Sequence, residues 1–497
     1  MQKREILSEL TIGRRVAEEE AEQLLSYFVE TDQWRRIFSG NVDIIFGPKG
    51  AGKSALYFAL LNRSDDLFDK NILLVSAENP RGTPAFKDLV ADPPTTEQEF
   101  VGLWKLYILT LLCRVLIEYD LKDANSRKVV AALEGEGLIP PPKATLRTII
   151  SGTLEYVRRI LRPGSIEAEV KLDATTGLPT GFATKITLAE PSLSARRRGV
   201  VSIDELLRLT NESLKEAGLK IWMLFDRLDV AFAESRELEA NALRALFKAY
   251  LDLLAESQIA LKIFLRTDIW RAITSAGFRE ASHITRHLTI AWTQDSLLNL
   301  VVQRILRNGL VVSMYQVDPA FILSSASEQR KFFDRLVPSQ VDSGRNPQTF
   351  EWLLGRVQDA TKVIAPRELI HFLTQAREVQ LRILETGGEE PEGDMLFSRQ
   401  ALRDSLPEVS RVRLEQTLFA EYPEMKDYLI ALEGEKTHQT PQSLAGIWNV
   451  RPEEAMVVAA QLVEIGFFER RGEKYQPSFW VPFLYRPALK MVQGSAD

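Results

Sequence analysis

Residues 47–54 read Gly47-Pro48-Lys49-Gly50-Ala51-Gly52-Lys53-Ser54, a G-x-x-x-x-G-K-[ST] element. It follows the apolar run VDIIF at 42–46 and precedes the helix-patterned SALYFALL. A buried strand, a glycine-rich loop and a helix must therefore follow one another within about twenty residues. The glycines let backbone N–H groups converge on one point, and the helix that follows adds its positive N-terminal end. Such a cradle suits phosphate oxygens, so all eight residues are candidate ligand contacts. Lys53 is expected to reach the β- and γ-phosphates of a nucleoside triphosphate, and Ser54 to ligate Mg²⁺.

A triphosphate site also needs a carboxylate at the end of a neighbouring strand to hold the metal's water shell. Asp226 ends the apolar run IWMLF at 221–225 and is the candidate. Arg227 follows it where many ATPases carry glutamate, which leaves Asp229 as the candidate base. DRLD reads equally well as a helix-capping turn. The next apolar run ends in Arg266 and Thr267, polar residues placed to sense a γ-phosphate. No N-K-x-D-like element for guanine stands in a suitable place, so ATP with Mg²⁺ is the expected ligand. Four histidines and one cysteine, without paired ligand spacing, give no basis for a structural zinc or a Cys/His nucleophile.

Strand patterns at 42–46, 71–76, 221–225, 260–265 and 287–292 alternate with helical ones, which implies right-handed crossovers and a parallel sheet. At 497 residues the chain exceeds one hydrophobic core and should form two to four domains. The expected division is a helix near 17–38 with the first part of the core at 1–120, an insertion at 121–200, and the second part of the core at 201–294. Helices alone follow at 295–384 as a lid, with ETGGEEPEGD at 385–394 as linker. Three helices and a hairpin pattern at 395–497 make the plan of a winged helix.

The net charge of −6 supplies no global field for nucleic acid or an anionic membrane. No stretch approaches about 18 uninterrupted apolar residues, so a cytoplasmic protein without membrane contact is expected. Cys113 lies in LYILTLLCRVLIEY and reads as a core thiol.

Several separate pieces together resemble the extended AAA+ and STAND group of P-loop ATPases, particularly bacterial members with an origin-recognition-like core. They are TIGRRVAEEEAEQLLSYFVETDQW, GPKGAGKSAL, WMLFDRLD, IFLRTDIW and APRELIHFLTQA. The likeness covers roughly 10–60 and 200–380, with a looser match in the C-terminal winged helix. It implies an α/β AAA+-like P-loop core with an inserted segment, a helical lid and a winged-helix domain. It also implies adenine contacts at Ile12 and Gly13, a first sensor at Arg266 or Thr267, and a second at Arg367 on the lid. A neighbouring subunit's arginine often completes such sites, and Arg271, Arg279 and Arg286 lie in the relevant segment. Relatives serve replication initiation, transposition and antiphage defence, which implies a homo-oligomer or a partner protein.

Three functions stay open: an ATP-driven, slowly hydrolysing switch, a DNA-binding initiator or loader, and a non-hydrolysing nucleotide-held module. The presumed recognition helix PEEAMVVAAQLVEIG opens on Glu453 and Glu454 and has no Lys or Arg. Arg470, Arg471 and Lys474 of the wing are interleaved with Glu469 and Glu473, so DNA contact, if made, falls to the wing.

Overall fold

The computed structural model describes residues 3–13, 20, 24–79, 96–141, 144–161, 185–228, 235–473 and 476–496, a few positions between 86 and 94, and the backbone at 170–172 and 179–182. Contacts group the chain into two compact units. One comprises Met1–Thr31, Lys49–Gly52 and Ala291–Asp497, and the other Asp32–Pro48 and Lys53–Ile290.

The second unit is built on five parallel strands, β1 (Ile44–Gly47), β2 (Ile72–Ser76), β3 (Lys220–Phe225), β4 (Ile259–Arg266) and β5 (His287–Thr289). They lie in the order β2-β3-β4-β1-β5, with every pairing parallel. β1 and β4 are near-continuous apolar runs because helices cover both faces of such a sheet. This order places β4 between the strand that carries the glycine loop and the strand that ends at Asp226. Gly47 of β1 stands in register with Arg266 of β4.

The helix Glu97–Glu118 is long and apolar enough to span a membrane, but most of it is buried in this unit's core. Its Lys105 is held by Asp204 at 2.7 Å and Asp252 at 2.6 Å. Cys113 is buried there, and burial pushes its thiol up to about 12, the core role expected of it.

The segment expected as an insertion contributes helices Ala124–Gly135 and Leu146–Leu161. Their Val129, Leu133, Ile149, Ile150 and Tyr156 enter the same apolar cluster as the sheet, so this part of the chain completes the core. Val170–Leu172 and Pro179–Phe182 pair antiparallel, and the turn expected between them lies outside the described residues.

The expected single helix at 17–38 is interrupted. Among the described residues a 3₁₀ turn at Leu24–Tyr27 precedes a separate helix Asp32–Phe38. The physical reason is that its apolar residues serve two cores. Tyr27 lies under the guanidinium of Arg304 at 4.2 Å in the first unit, while Trp34 and Ile37 are buried in the second.

The first unit joins the helices expected as a lid and the C-terminal elements in one apolar cluster, running from Leu297 and Phe372 to Leu462 and Tyr485. The acidic stretch at 385–394 therefore does not divide two compact units as its composition predicts. Lys3 Nζ donates to the carbonyl of Gly393 at 2.6 Å, and Arg335 pairs with Asp394 at 2.9 Å. Beyond it, helices Pro441–Trp448 and Pro452–Glu464 lead into an antiparallel pair, Glu469–Gly472 with Pro477–Trp480, whose second strand also pairs with Lys436–Gln439.

Candidate functional site

In the sheet unit, β1 is fully buried and delivers the chain to the loop, and the helix Lys53–Asn62 starts directly after it. Gly50 and Gly52 have φ of +81° and +101°, backbone that a side chain would strain. The helix carries no acidic residue of its own in its first turn. Lys53 Nζ donates to the carbonyls of Gly47 at 2.9 Å and Pro48 at 3.1 Å. These are neutral acceptors, and a phosphate oxyanion is the stronger partner for an ammonium.

Ser54 Oγ donates to Asp226 Oδ2 at 2.9 Å, across 172 residues of sequence. Asp226 is 5% exposed, held at the end of β3 as its apolar run predicts. The next residue, Arg227, sits at φ +60°, a left-handed conformation uncommon away from glycine. Asp229 lies outside the described residues.

At the end of β4, Arg266 forks onto Asp268 with bonds of 3.1 and 2.6 Å. Burial works against the Asp268 charge, but the Arg266 fork, helped by the field of Lys53, holds its carboxyl below the usual range. Thr267 begins the helix Thr267–Ser275. Its Oγ1 is buried and has no hydrogen-bond partner among the described residues, a cost of about 1–3 kcal/mol unless a ligand satisfies it.

Among the described residues no cluster of three His, Cys, Asp or Glu side chains could hold a metal by itself. One hydroxyl and one carboxylate, Ser54 and Asp226, fit a hard cation that brings phosphate and water as its other ligands.

In the other unit, the loop tip Lys49–Gly52 groups with residues of 291–497. Lys49 pairs with Glu421. A Cβ added to Gly50 would lie 3.1 Å from Cβ of Arg367 and 3.3 Å from that of Ala365. Trp292 Nε1 donates to the carbonyl of Ala51 at 2.9 Å. Arg367 thus stands against the loop tip, on the first turn of the helix Pro366–Glu385.

Ile12 is 3% exposed, and its carbonyl accepts from Arg304 Nη1 at 2.9 Å. Gly13 has φ +92°, and a Cβ there would collide with Arg304 Nη1 at 1.8 Å. Arg304 also pairs with Glu20 at 3.1 Å, so this arginine clamps the segment that carries both residues. Glu421, Trp292 and Arg304 escaped the sequence reading, since each acts on a residue more than 200 positions away and no local pattern marks it. Of the three arginines considered for a neighbouring site, Arg271 and Arg279 are exposed. Arg286 is bound to Asp43 at 2.9 Å.

On the helix Pro452–Glu464 the exposed residues include Glu453, Glu454, Val457, Ala460, Gln461 and Glu464, which present no positive charge to phosphate. Arg470 and Arg471 are exposed on the strand that follows, Arg471 lying over Trp480 at 4.2 Å. Lys474 lies outside the described residues.

The parallel order β2-β3-β4-β1-β5, with the glycine loop on β1 and a buried aspartate ending β3, defines an α/β P-loop fold. No family model matches the chain, and no curated protein matches it either. Among solved structures it is similar to the Aeropyrum pernix ORC2 protein in its ADPNP–ADP complexes, at 13% identity and a TM-score of 0.36, over 96% of this chain and 94% of that one. The ADP form of the same protein gives 12% identity and a TM-score of 0.31, over 95% and 90%. At those values the likeness says nothing of ligand or role.

Proposed function

We propose that the chain is an ATP-binding, slowly hydrolysing conformational switch that regulates a macromolecular partner or its own oligomer. The observation that carries this reading is the Ser54–Asp226 hydrogen bond at 2.9 Å beside the Lys53 ammonium. Side chains from the helix Lys53–Asn62 and from the end of β3 converge where a triphosphate and its metal would need them. The loop N–H groups and Lys53 bind the phosphates, Ser54 and Asp226 hold Mg²⁺, and Thr267 Oγ1 donates to an oxygen of the terminal phosphate. The metal, when bound, neutralises phosphate charge and orients the leaving group.

Arg367 reports the nucleotide to the lid and C-terminal elements. Asp229 orients the attacking water, and Arg227 in place of glutamate makes that step slow. The acidic face of Pro452–Glu464 favours a protein partner over a DNA-reading role for that helix.

The test is ATP binding and phosphate release by the full chain, with and without Mg²⁺ and duplex DNA, alongside K53A and D229A. Losing the Lys53 contact should cost about 2–3 kcal/mol, roughly a 30- to 150-fold weaker affinity. D229A should bind ATP and release no phosphate. A parent protein that binds no ATP, or a K53A variant that binds as well as the parent, would overturn the reading. Phosphate release stimulated by duplex DNA would put the initiator reading in its place.

A further inference from the structure

Residues 406–421 form one continuous helix that changes character midway, α over Leu406–Arg413, π over Leu414–Phe419, and α again through Glu421. A π-turn accommodates an extra residue in an α-helix and is rare, with many examples at functional sites. In regular α-helix, residues eight apart point about 80° away from each other; absorbing one residue brings them to within about 20°. The π-turn thus sets Arg413 and Glu421 on a common side, and both are used within the same unit.

Arg413 is 9% exposed, and its guanidinium bonds Glu368 at 3.2 Å and Asp359 at 3.4 Å. Glu368, itself 2% exposed, is the residue after Arg367. Glu421 pairs with Lys49 of the phosphate loop. One helical segment therefore anchors the helix that carries Arg367 and also places a carboxylate against the loop.

We propose that Glu421 is a built-in counter-charge that lowers the loop's affinity for phosphate, held in place by the Arg413 clamp, so that displacement of the 406–421 helix by a partner raises nucleotide affinity. This rests on the ATP-binding reading above. The physics is electrostatic. With Glu421 beside it, Lys49 contributes little net positive potential to the loop, and the penalty grows with the number of phosphate charges. Glu421 thus acts on binding through Lys49, and its signature is discrimination by charge.

The experiment measures ATP, ADP and AMP affinity calorimetrically for the parent, E421Q, E415Q and K53A, at low salt and at about 0.5 M salt. Glutamine matches glutamate in volume, so E421Q preserves packing. E415Q removes the same charge from an exposed position on the same helix, where Glu415 pairs with Arg411.

E421Q should bind ATP about fivefold more tightly at low salt, ADP by less, and AMP unchanged, with the gain shrinking at high salt. E415Q should match the parent. Unchanged or weaker ATP binding by E421Q, or equal gains for ATP and AMP, would overturn the inference while K53A still reports a working site. ATP binding by neither parent nor E421Q would remove the nucleotide reading and this inference with it.

Discussion

Two lysines sit at opposite ends of the same parallel sheet, and their surroundings differ in kind. Lys262, on β4 near the start of β1, is fully buried and donates to the Val42 carbonyl at 2.6 Å and to Asp43 at 2.8 Å. Its ammonium lies 4.3 Å from the Trp222 ring. Asp43 in turn accepts from Tyr250 at 3.2 Å and pairs with Arg286 at 2.9 Å. Burial pulls the Lys262 pKa down against the pull of Asp43.

Lys53, at the other end, is only part-buried and donates to the carbonyls of Gly47 and Pro48, and the Thr267 hydroxyl at the same edge of the sheet has no hydrogen-bond partner among the described residues. A charge whose partners are all supplied by the fold belongs to the fold. An ammonium at a helix N-terminus that donates to backbone carbonyls would find a stronger acceptor in a phosphate oxyanion.

The sharpest way to break this comparison is K262A. It leaves the Asp43 carboxylate buried without its closest cation, so the sheet unit should lose about 3 kcal/mol of stability in urea unfolding. Nucleotide affinity per folded molecule should stay at the parent value. A K262A protein of parental stability that no longer binds ATP would show that the two ends are not separate in role.

The same contrast marks what was legible in the sequence. The loop, its strand and helix, and Asp226 were readable because each is signalled within a few residues by an apolar run ending in glycine or a carboxylate. Arg286 was not. It was weighed as a residue offered to a neighbouring subunit, yet it binds Asp43, 243 positions away. Arg304 on Ile12 and Glu421 on Lys49 are equally non-local, and pairings of that span leave no periodicity to detect. The linker at 385–394 misled for a related reason, because composition records what a segment cannot bury and not what its carbonyls can accept. Lys3 and Tyr315 supply donors there.

A smaller effect sharpens the ligand-facing end. D226N keeps the size of the side chain and its acceptor for Ser54 but removes the charge that a Mg²⁺ water shell requires. ATP affinity in the presence of Mg²⁺ should fall about tenfold, or about 1.4 kcal/mol, with no loss when Mg²⁺ is chelated. Equal losses under both conditions would assign Asp226 to loop structure and not to metal.

The smallest effect concerns Arg266, which in this structure is engaged by Asp268. Asp268 has its folded-state pKa depressed by that arginine, so the pair stabilises the fold above the ordinary carboxylate value of 3.8, and the contribution disappears as pH falls through the folded value. The Asp268 side chain is 43% exposed, so solvent screening reduces the pair to a few tenths of a kcal/mol. Urea unfolding at pH 4.5 and pH 3.5 should therefore show a slightly steeper loss for the parent than for D268N. Identical slopes would mean that Arg266 does not rest on Asp268 in solution. The ligand-facing edge would then hold two cations turned toward the phosphate position, Lys53 and Arg266, and the contrast with the closed pair at Lys262 would be stronger.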